Sequence, residues 1–284
     1  MKSNRIQMQD LARIILERAM GRLIFVYGAQ ESGIIMYRLL RYYGIEVSFF
    51  VDRKWKLLPE VCRLPVYGVE SLNFTKHFPV INESSDLRTI ESIKLDLHGA
   101  GYPPNDFFYW GDDVDFDVEL NGIVLGKGSP LLDLYLRPTA SKLLKSVGRY
   151  ASVNPTVNIA YNHFMGLSTS FRVPVDDIRY QKYTIANRIE IGHDAYIGAN
   201  VFINQSKVKT IGNGAIVGSG TVVLEDVPPY AFMVGVPGRI KKYRFTHEQI
   251  SVLERVQWWN WDDETMKENG DCFVNPLLFF ERFG

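Results

Sequence analysis

A six-residue repeat of aliphatic positions runs through the C-terminal half of the chain. The residues that open successive blocks are Ile185, Ile191, Ile197, Ile203, Ile211, Val217 and Val223, with two extra residues inserted before Ile211. This period fits neither the helical period of about 3.6 nor the two-residue alternation of a lone strand. It fits a triangular coil of three blocks, in which each coil buries its corners only against the next. The pattern predicts a parallel β-helix.

The repeat begins earlier and is then interrupted. Val147, Val153 and Ile159 already follow the six-residue period, which resumes at Ile185. A long segment inserted within a compact domain is usually functional or disordered. This insertion carries His163, and a base held at the edge of a rigid coil suits general-base catalysis. An incidental loop histidine accounts for the same spacing equally well.

The N-terminal third has a different pattern, typical of an α/β sheet. An apolar run at Leu23–Tyr27 predicts a buried strand, which is followed by a glycine-containing turn, a helix over 34–43 and a second strand over 46–51. Asp52 ends the second strand. This order is typical of a nucleotide-binding unit, with phosphate at the helix N-terminus and the carboxylate on a ribose hydroxyl.

The glycines of that turn leave two interpretations open. Gly28 and Gly33 fit the GxGxxG fingerprint, but Gln30 stands where its middle glycine would be. In the first interpretation the turn holds a nucleotide phosphate. In the second, Gly28 makes a tight turn and Gly33 lets the helix approach the strand.

These patterns predict three parts. Residues 1–112 form a Rossmann-like α/β domain, 113–243 form the β-helix, and 244–284 form a helical tail. The pair Asn121-Gly122 between apolar residues predicts a hairpin. In the tail, Thr246 and Gln249 predict a capping box, and the tryptophans around Trp258 are expected to pack over the coil. His193 is expected to be a solvated residue at a coil corner.

Composition narrows the classes of function. The chain has 32 Lys and Arg residues and 32 Asp and Glu residues, so its formal net charge is zero. The net charge therefore does not indicate a nucleic-acid or acidic-membrane partner. The chain has no apolar run long enough to span a membrane, and its first residues lack the apolar segment of a signal peptide. Cys62 and Cys272 are expected to be small buried hydrophobes, with no metal or redox motif. A cytoplasmic location and no bound metal are expected.

Several motifs carry a resemblance to a known family. They are Asn162-His163, Ser168-Thr169, the blocks 191–199 and 211–220, the turns 226–229 and 235–238, and the tryptophan-rich 258–261. Together they resemble the hexapeptide-repeat acyltransferases, in the branch that acetylates hydroxyl groups of xenobiotics and sugars. The resemblance implies a left-handed β-helix, a homotrimer and acetyl-CoA as the donor, bound in the groove between two subunits.

The resemblance also implies roles for the residues of the interrupting segment. His163 matches the general base, which would take a proton from the acceptor hydroxyl and return it to the CoA thiolate. Asn162, Ser168 and Thr169 match positions that shape the acceptor pocket.

Four further residues match positions that bind acetyl-CoA. Ala199 and Ser219 would line the pantetheine arm through their main chain, and a backbone N–H near Ala199 would stabilise the oxyanion. Arg239 and Lys242 match basic positions near the CoA phosphates. Glu225 departs from the family pattern, because relatives often have a lysine there.

The first 110 or so residues resemble, more distantly, the N-terminal domain of PglD-type sugar acetyltransferases. In that family the turn and the acidic residue hold a nucleotide-linked sugar, and Gly28, Gly33 and Asp52 match by position. Gln30 and Glu31 replace the small residues of relatives. The expected function is acetyl-CoA-dependent O-acetylation of a saccharide hydroxyl in bacterial surface-polysaccharide biosynthesis. The alternatives are N-acetylation of a nucleotide-linked amino sugar and a non-catalytic, nucleotide-sensing β-helix.

Overall fold

A computed structural model describes residues 5–82, 87–114, 116–129, 133–136, 140–160 and 188–284. The chain divides into two compact units, Met1–Ala140 and Ser141–Gly284. The boundaries that the sequence predicts after residues 112 and 243 stay predictions.

The first unit is built on an open, mainly parallel sheet. The strands of this unit are β1 (Arg5–Gln7), β2 (Leu23–Tyr27), β3 (Phe49–Val51), β4 (Glu60–Val61), β5 (Leu64–Tyr67), β6 (His77–Ile81), β7 (Phe108–Tyr109), β8 (Asp117–Leu120) and β9 (Ile123–Leu125). Strands β1, β8 and β9 pair with one another outside the open sheet. Its helices are α1 (Met8–Ala19), α2 (Glu31–Tyr42), α3 (Leu87–Gly99), α4 (Trp110–Asp113) and α5 (Asp133–Leu136), with 3₁₀ turns at Trp55–Leu57 and Val69–Ser71. Helix α6 (Ala140–Leu143) begins at the last residue of this unit.

The main sheet has the strand order β4-β5-β3-β2-β6-β7, and every pair except β4–β5 is parallel. The chain builds outward from β2 to one side and then returns to add β6 on the other. Strand β2 is central and buried over four of its five residues. Strand β3 begins at Phe49 rather than at residue 46, because its ladder with β2 starts at the pair of Phe49 and Phe25. The Ser48 N–H, directly before the strand, already donates to the Ile24 carbonyl of β2.

Two short hairpins in this unit turn at residues whose backbone has a positive φ, in the left-handed conformation. Asn121 (φ 50°) and Gly122 (φ 71°) join β8 to its antiparallel partner β9, which confirms the predicted hairpin. Cys62 (φ 54°) and Arg63 (φ 64°) make the equivalent turn between β4 and β5. This turn projects Cys62 into solvent, so the expectation that both cysteines are buried is wrong for Cys62 and holds for Cys272.

The second unit is a parallel β-helix. Its strands are β10 (Leu144–Val147), β11 (Ser152–Val153), β12 (Asn158–Ala160), β13 (Ile189–Ile191), β14 (Tyr196–Ile197), β15 (Phe202–Asn204), β16 (Thr210–Ile211), β17 (Ile216–Val217), β18 (Val222–Val223), β19 (Ala231–Val234) and β20 (Arg239–Tyr243). Three parallel ladders form its faces: β10-β13-β16, β11-β14-β17-β19 and β12-β15-β18. Strand β20 turns back and pairs antiparallel with β19.

The six-residue register is kept from coil to coil. On one face Val147 pairs with Ile191 and Ile191 with Ile211. All three side chains are at most 2% exposed, so the repeat's aliphatic positions form the core. The inserted residues fall after Asn204, whose side-chain oxygen accepts the Ser206 N–H at 3.0 Å and closes a local turn. The predicted parallel β-helix is confirmed, while Ile185 lies outside the described residues.

Helices pack over the coil at the C-terminal end. They are α7 (His247–Val256), a 3₁₀ turn (Trp258–Asn260), α8 (Asp263–Glu268), α9 (Gly270–Val274) and α10 (Pro276–Phe283). The predicted capping box is present, since Gln249 N–H donates to Thr246 Oγ1 at 3.3 Å and Thr246 N–H donates to Gln249 Oε1 at 3.0 Å. Trp258 and Trp259 are 9% and 2% exposed, so the predicted packing of the tryptophans is confirmed.

His193 differs from its expected solvated state. Its ring stacks on Trp259, with centroids 5.0 Å apart and planes 6° from parallel. Its Nδ1 accepts the Arg149 N–H at 2.9 Å. The tail therefore covers this coil corner and turns its histidine into a packing residue.

The described residues lack two kinds of feature. No helix among them is long and apolar enough to cross a membrane. No group of three or more His, Cys, Asp or Glu side chains among them could hold a metal ion.

The packing of α2 on the turn after β2 gives a first prediction. A Cβ on Gly33 would overlap the Gly28 carbonyl oxygen, so Gly33→Ala must push the helix from the turn. We expect a loss of about 3 kcal/mol in the free energy of unfolding, measured by urea denaturation. Gly99→Ala is the matched control, because nothing lies within 4 Å of a Cβ at that helix position. Equal stability of the two variants would contradict the close approach.

Candidate functional site

Ala199 and Ser219 occupy one column of coil corners. Ala199 follows strand β14, and Ser219 follows strand β17, its neighbour in the same ladder. A Cβ on Gly198 would lie 2.7 Å from both the N and the Oγ of Ser219, so the two corners are in close contact. Gly220 N–H donates to the Ala199 carbonyl at 2.8 Å. The structure thus brings together the two residues that the resemblance assigns to the pantetheine arm.

This column presents backbone donors. Ser219 is exposed and Ala199 is half-buried. Among the hydrogen bonds of the described residues, none has the N–H of Ala199 or of Ser219 as its donor. Unpaired N–H groups on a rigid, partly exposed corner are suited to bind amide carbonyls or a developing oxyanion.

A bulge places the two basic residues on one face of β20. Arg239 pairs with Val234, and Lys242 pairs with Phe232, because the register shifts between these pairs. Val234 and Phe232 are two residues apart on β19 and therefore point to the same side of the strand. Without the bulge, residues three apart on β20 would point to opposite sides. The Lys242 Nζ lies 5.9 Å from the Phe232 ring centroid.

Glu225 lies beside one of these cations. Its Oε1 is 3.8 Å from the Arg239 Nη1, and the two side chains are 59% and 64% exposed. An ion pair so exposed contributes little to stability. It does, however, lower the positive charge that an anionic ligand would meet at this position.

The residues predicted to carry the chemistry lie outside the described ones. His163, Asn162, Ser168 and Thr169 all belong to 161–187. Strand β12 ends just before that range and β13 begins just after it, each paired to the neighbouring coil. The roles of the four residues stay predictions.

In the first unit, the residues of the glycine turn have structural partners. Gly28 has φ 96° and donates its N–H to Val51 at 2.7 Å. Asp52 is 8% exposed, and its two carboxylate oxygens accept the N–H groups of Ala29 at 2.9 Å and Lys54 at 2.7 Å. These bonds hold the turn to the end of β3. They favour the interpretation in which the turn is built for tight packing.

A polar residue that the sequence analysis missed lies at the same edge of the sheet. Asn82 follows β6, is 5% exposed, and donates from Nδ2 to the Ser32 carbonyl at 2.9 Å. In this strand order the direction of chain growth changes between β2 and β6, which is where open α/β sheets bind ligands. In the sequence, the position of Asn82 directly after a buried strand was the feature that could have indicated this residue.

A second missed group surrounds Asp96 on α3. The Tyr27 hydroxyl donates to Asp96 Oδ2 at 2.5 Å, and the Arg53 Nε donates to the same oxygen at 2.7 Å. Burial, followed by the bond to Asp96, raises the pKa of Tyr27 above its usual range. These residues are far apart in sequence, so no local pattern could have joined them.

Proteins similar to this chain are acetyltransferases. It is 34% identical over 138 residues to a chloramphenicol acetyltransferase of Morganella morganii, covering 47% of this chain and 65% of that protein. It is 43% identical over 82 residues to a chloramphenicol acetyltransferase of Klebsiella aerogenes, covering 29% of this chain and 38% of that protein. A galactoside O-acetyltransferase of Escherichia coli K12 is 40% identical over 52 residues, covering 18% and 25%. The chain spans less than two thirds of each of these relatives.

Solved structures that resemble the chain include the acetyltransferase domain of PglB from Neisseria gonorrhoeae in complex with acetyl coenzyme A. That pair is 17% identical with a TM-score of 0.32, covering 78% of this chain and 99% of the other. A hexapeptide-repeat acetyltransferase of Vibrio cholerae is 29% identical with a TM-score of 0.27, covering 44% and 57%. No family model matches the chain. The names of the sequence relatives confirm the resemblance to acetyltransferases drawn from the motifs.

The bonds of Asp52 give a second prediction. Asp52→Ala leaves two backbone N–H groups without their acceptor, so we expect a loss of about 2 kcal/mol in the free energy of unfolding, measured in urea without ligand. Asp52→Asn keeps one acceptor oxygen and should lose about half as much. Unchanged stability in both variants would instead leave ligand binding as the reason for an acidic residue at this position.

Proposed function

We propose that the protein transfers an acetyl group from acetyl-CoA to the hydroxyl of a saccharide. The observation that carries the proposal is the corner column of Ala199 and Ser219, with its unpaired N–H groups. Sequence relatives named acetyltransferases, one of them acting on a galactoside, support the reaction class. As the chain spans only part of those relatives, the activity is our inference from these residues.

The described residues fit acetyl-CoA in their chemistry. Pantetheine carries amide carbonyls, which pair with backbone donors such as the Ser219 N–H, while the Ala199 N–H is left for the thioester carbonyl. The phosphates of CoA need cations, and Arg239 and Lys242 lie on one face of β20 in the same unit. The thioester supplies an activated acetyl group.

His163 acts as the general base in this proposal. It takes the proton of the acceptor hydroxyl while that oxygen attacks the thioester carbonyl, and it returns the proton to the departing thiolate. The Ala199 N–H stabilises the negative charge on the carbonyl oxygen. Asn162, Ser168 and Thr169 orient the acceptor.

The coil surface supports assembly into a homotrimer. Tyr196 pairs with Ile216 and Ile216 with Phe232, which makes an outward-facing apolar column. Tyr196 is 48% exposed and Phe202, on the next face, is 38% exposed. Burying such columns between copies stabilises an oligomer and forms a groove for acetyl-CoA. We place this enzyme in the cytoplasm, acting on bacterial surface-polysaccharide precursors.

A second candidate function is N-acetylation of a nucleotide-linked amino sugar. The observation that favours it is the sheet edge between β2 and β6, where Asn82 and the glycine turn lie beside the change in strand order. Such an edge is the usual nucleotide site of an open α/β sheet. The same coil chemistry would then act on an amine.

One assay separates these functions and gives a third prediction. Free-thiol release from acetyl-CoA is measured with neutral sugars and oligosaccharides beside UDP- and dTDP-linked amino sugars. We expect turnover with a neutral saccharide, and a fall in kcat of about 10³ in His163→Ala with CoA binding kept. His98→Ala, at an exposed site on α3, is the control and should be fully active.

The other outcomes of this assay are equally informative. Turnover restricted to a nucleotide-linked amino sugar selects the second function. Full activity of His163→Ala overturns the proposed mechanism. No thiol release with any acceptor supports the non-catalytic, nucleotide-sensing alternative.

The pair between Arg239 and Glu225 gives a fourth prediction. Arg239→Gln should raise the KM for acetyl-CoA about tenfold while kcat stays constant, because only binding of the phosphates is weakened. Glu225→Gln should lower the same KM, since it frees the guanidinium from its exposed partner. Steady-state kinetics with acetyl-CoA as the varied substrate measure both. An unchanged KM in both variants would place the phosphates elsewhere.

A further inference from the structure

Two columns of coil corners differ in how their N–H groups are paired. In the column beneath the C-terminal helices, the Arg149 N–H donates to His193 Nδ1 and the His193 N–H donates to Asn213 Oδ1, both at 2.9 Å. In the other column, which we call the donor column, the N–H groups of Ala199 and Ser219 have no partner within the described residues. A ligand that lies along the donor column therefore meets free backbone donors.

The donor column ends in the first coil, at Pro155. Strand β11 pairs in register with β14, and β14 pairs with β17. Pro155 therefore has the corner position that Ala199 and Ser219 have in the next two coils. Proline has no N–H, so this corner cannot donate a hydrogen bond. The row of free donors begins at Ala199 and continues to Ser219.

Hydrogen bonds hold the Pro155 corner in place. The Val157 N–H donates to the Asn154 carbonyl at 3.1 Å and closes a β-turn with proline at its second position, where turns favour it. Asn154 Oδ1 accepts the Thr156 N–H at 3.0 Å. Thr156 Oγ1 accepts the Asn200 N–H at 2.8 Å, which fastens this corner to the corner of the next coil. Pro155 is exposed, so its ring is a fixed apolar surface at the end of the donor column.

The basic residues give acetyl-CoA a direction along the donor column. Arg239 and Lys242 lie on β20, which pairs with β19, and β19 pairs with β17. Cations at that end of the column suit the CoA phosphates. The thioester therefore lies at the opposite end, at Ala199. Strand β12, directly before the range that contains His163, belongs to the same first coil as Pro155, so the chain leads to the proposed base from this end.

The shape of a thioester then directs its methyl group at Pro155. The carbonyl carbon is trigonal, with the oxygen, the sulfur and the methyl carbon around it in one plane. When the oxygen accepts the Ala199 N–H and the sulfur leads toward Ser219, the methyl group points the other way along the column. Neighbouring strands are about 4.8 Å apart, and carbon atoms in contact are about 3.5–4.0 Å apart. This spacing fits a methyl group against the ring and leaves no room for a further carbon in line.

We propose that Pro155 is a specificity-determining residue, whose ring forms the end wall of the acyl site and limits the transferred group to acetyl. This inference rests on the proposed acetyl transfer and adds the choice of acyl group to it. A longer acyl chain meets the ring before its carbonyl oxygen reaches the Ala199 N–H. Because Pro155 contacts only the acyl group, CoA itself binds equally well with or without the ring.

Calorimetry with CoA, acetyl-CoA and propionyl-CoA on the full chain tests this role without an acceptor. We expect propionyl-CoA to bind the wild-type protein about tenfold more weakly than acetyl-CoA, because the site has no space for the added methylene. Pro155→Ala removes Cγ and Cδ of the ring, so it should bring the two Kd values within about twofold of each other. The Kd of CoA should not change.

Pro229→Ala is the matched control. Pro229 is an exposed proline at the same corner position, but it belongs to the column beneath the C-terminal helices, one coil after Asn213. Its replacement should leave all three Kd values unchanged. Thiol release with the neutral saccharides of the acceptor assay should show the same contrast between Pro155→Ala and Pro229→Ala, as a ratio of kcat/KM for propionyl-CoA and acetyl-CoA.

Ala199→Pro tests the position of the thioester itself. Ala199 precedes Asn200, whose φ is 56°, in the pattern of a type II turn, and the second position of such a turn favours proline. The variant removes the N–H that holds the thioester oxygen in this proposal. It should weaken the binding of acetyl-CoA about fivefold to tenfold more than the binding of CoA.

The outcomes that overturn the role of Pro155 differ from those that overturn the acetyl-transfer site. Equal affinity of the wild type for acetyl-CoA and propionyl-CoA, or an unchanged ratio in Pro155→Ala, overturns only the role of Pro155. A shift in Pro229→Ala as large as that in Pro155→Ala does the same. No binding of acetyl-CoA to the wild type, or no effect of Ala199→Pro, overturns the proposed site, and the role of Pro155 with it.

Discussion

The second unit depends on one constraint: each coil can bury its aliphatic corners only against the next coil. Val147, Ile191 and Ile211 stack in register because the strands that carry them pair in parallel, six residues to a face. The same register stacks the corners, so it also places Ala199 beside Ser219. A site built on such corners inherits their rigidity, which is what preorganised backbone donors need.

The C-terminal helices cover one column of corners along the side of the coil. They do so with aromatic side chains, since Trp258 stacks on Tyr150 and Trp259 stacks on His193 in the next coil. Large rigid rings fill space unevenly, and a gap remains beside Tyr230.

In the first unit, a motif typical of nucleotide binding also has a structural role. Gly28, Gly33 and Asp52 match a nucleotide-binding fingerprint, yet each has a packing reason in the structure. Gly28 takes a positive φ, Gly33 allows α2 to touch the turn, and Asp52 ties the turn to β3. If this sheet binds a nucleotide, the strand order between β2 and β6 is stronger support than those three residues.

The sequence by itself determined the features that depend on near neighbours. The six-residue period, the turn at Asn121 and the cap at Thr246 are all local, because they involve residues a few positions apart. Only the tertiary structure decided the pairing of residues distant in the chain. A bulge set Arg239 and Lys242 on one face, and the fold alone left the Tyr230 hydroxyl buried without a partner among the described residues, since side-chain contacts across coils leave no periodic trace in the sequence.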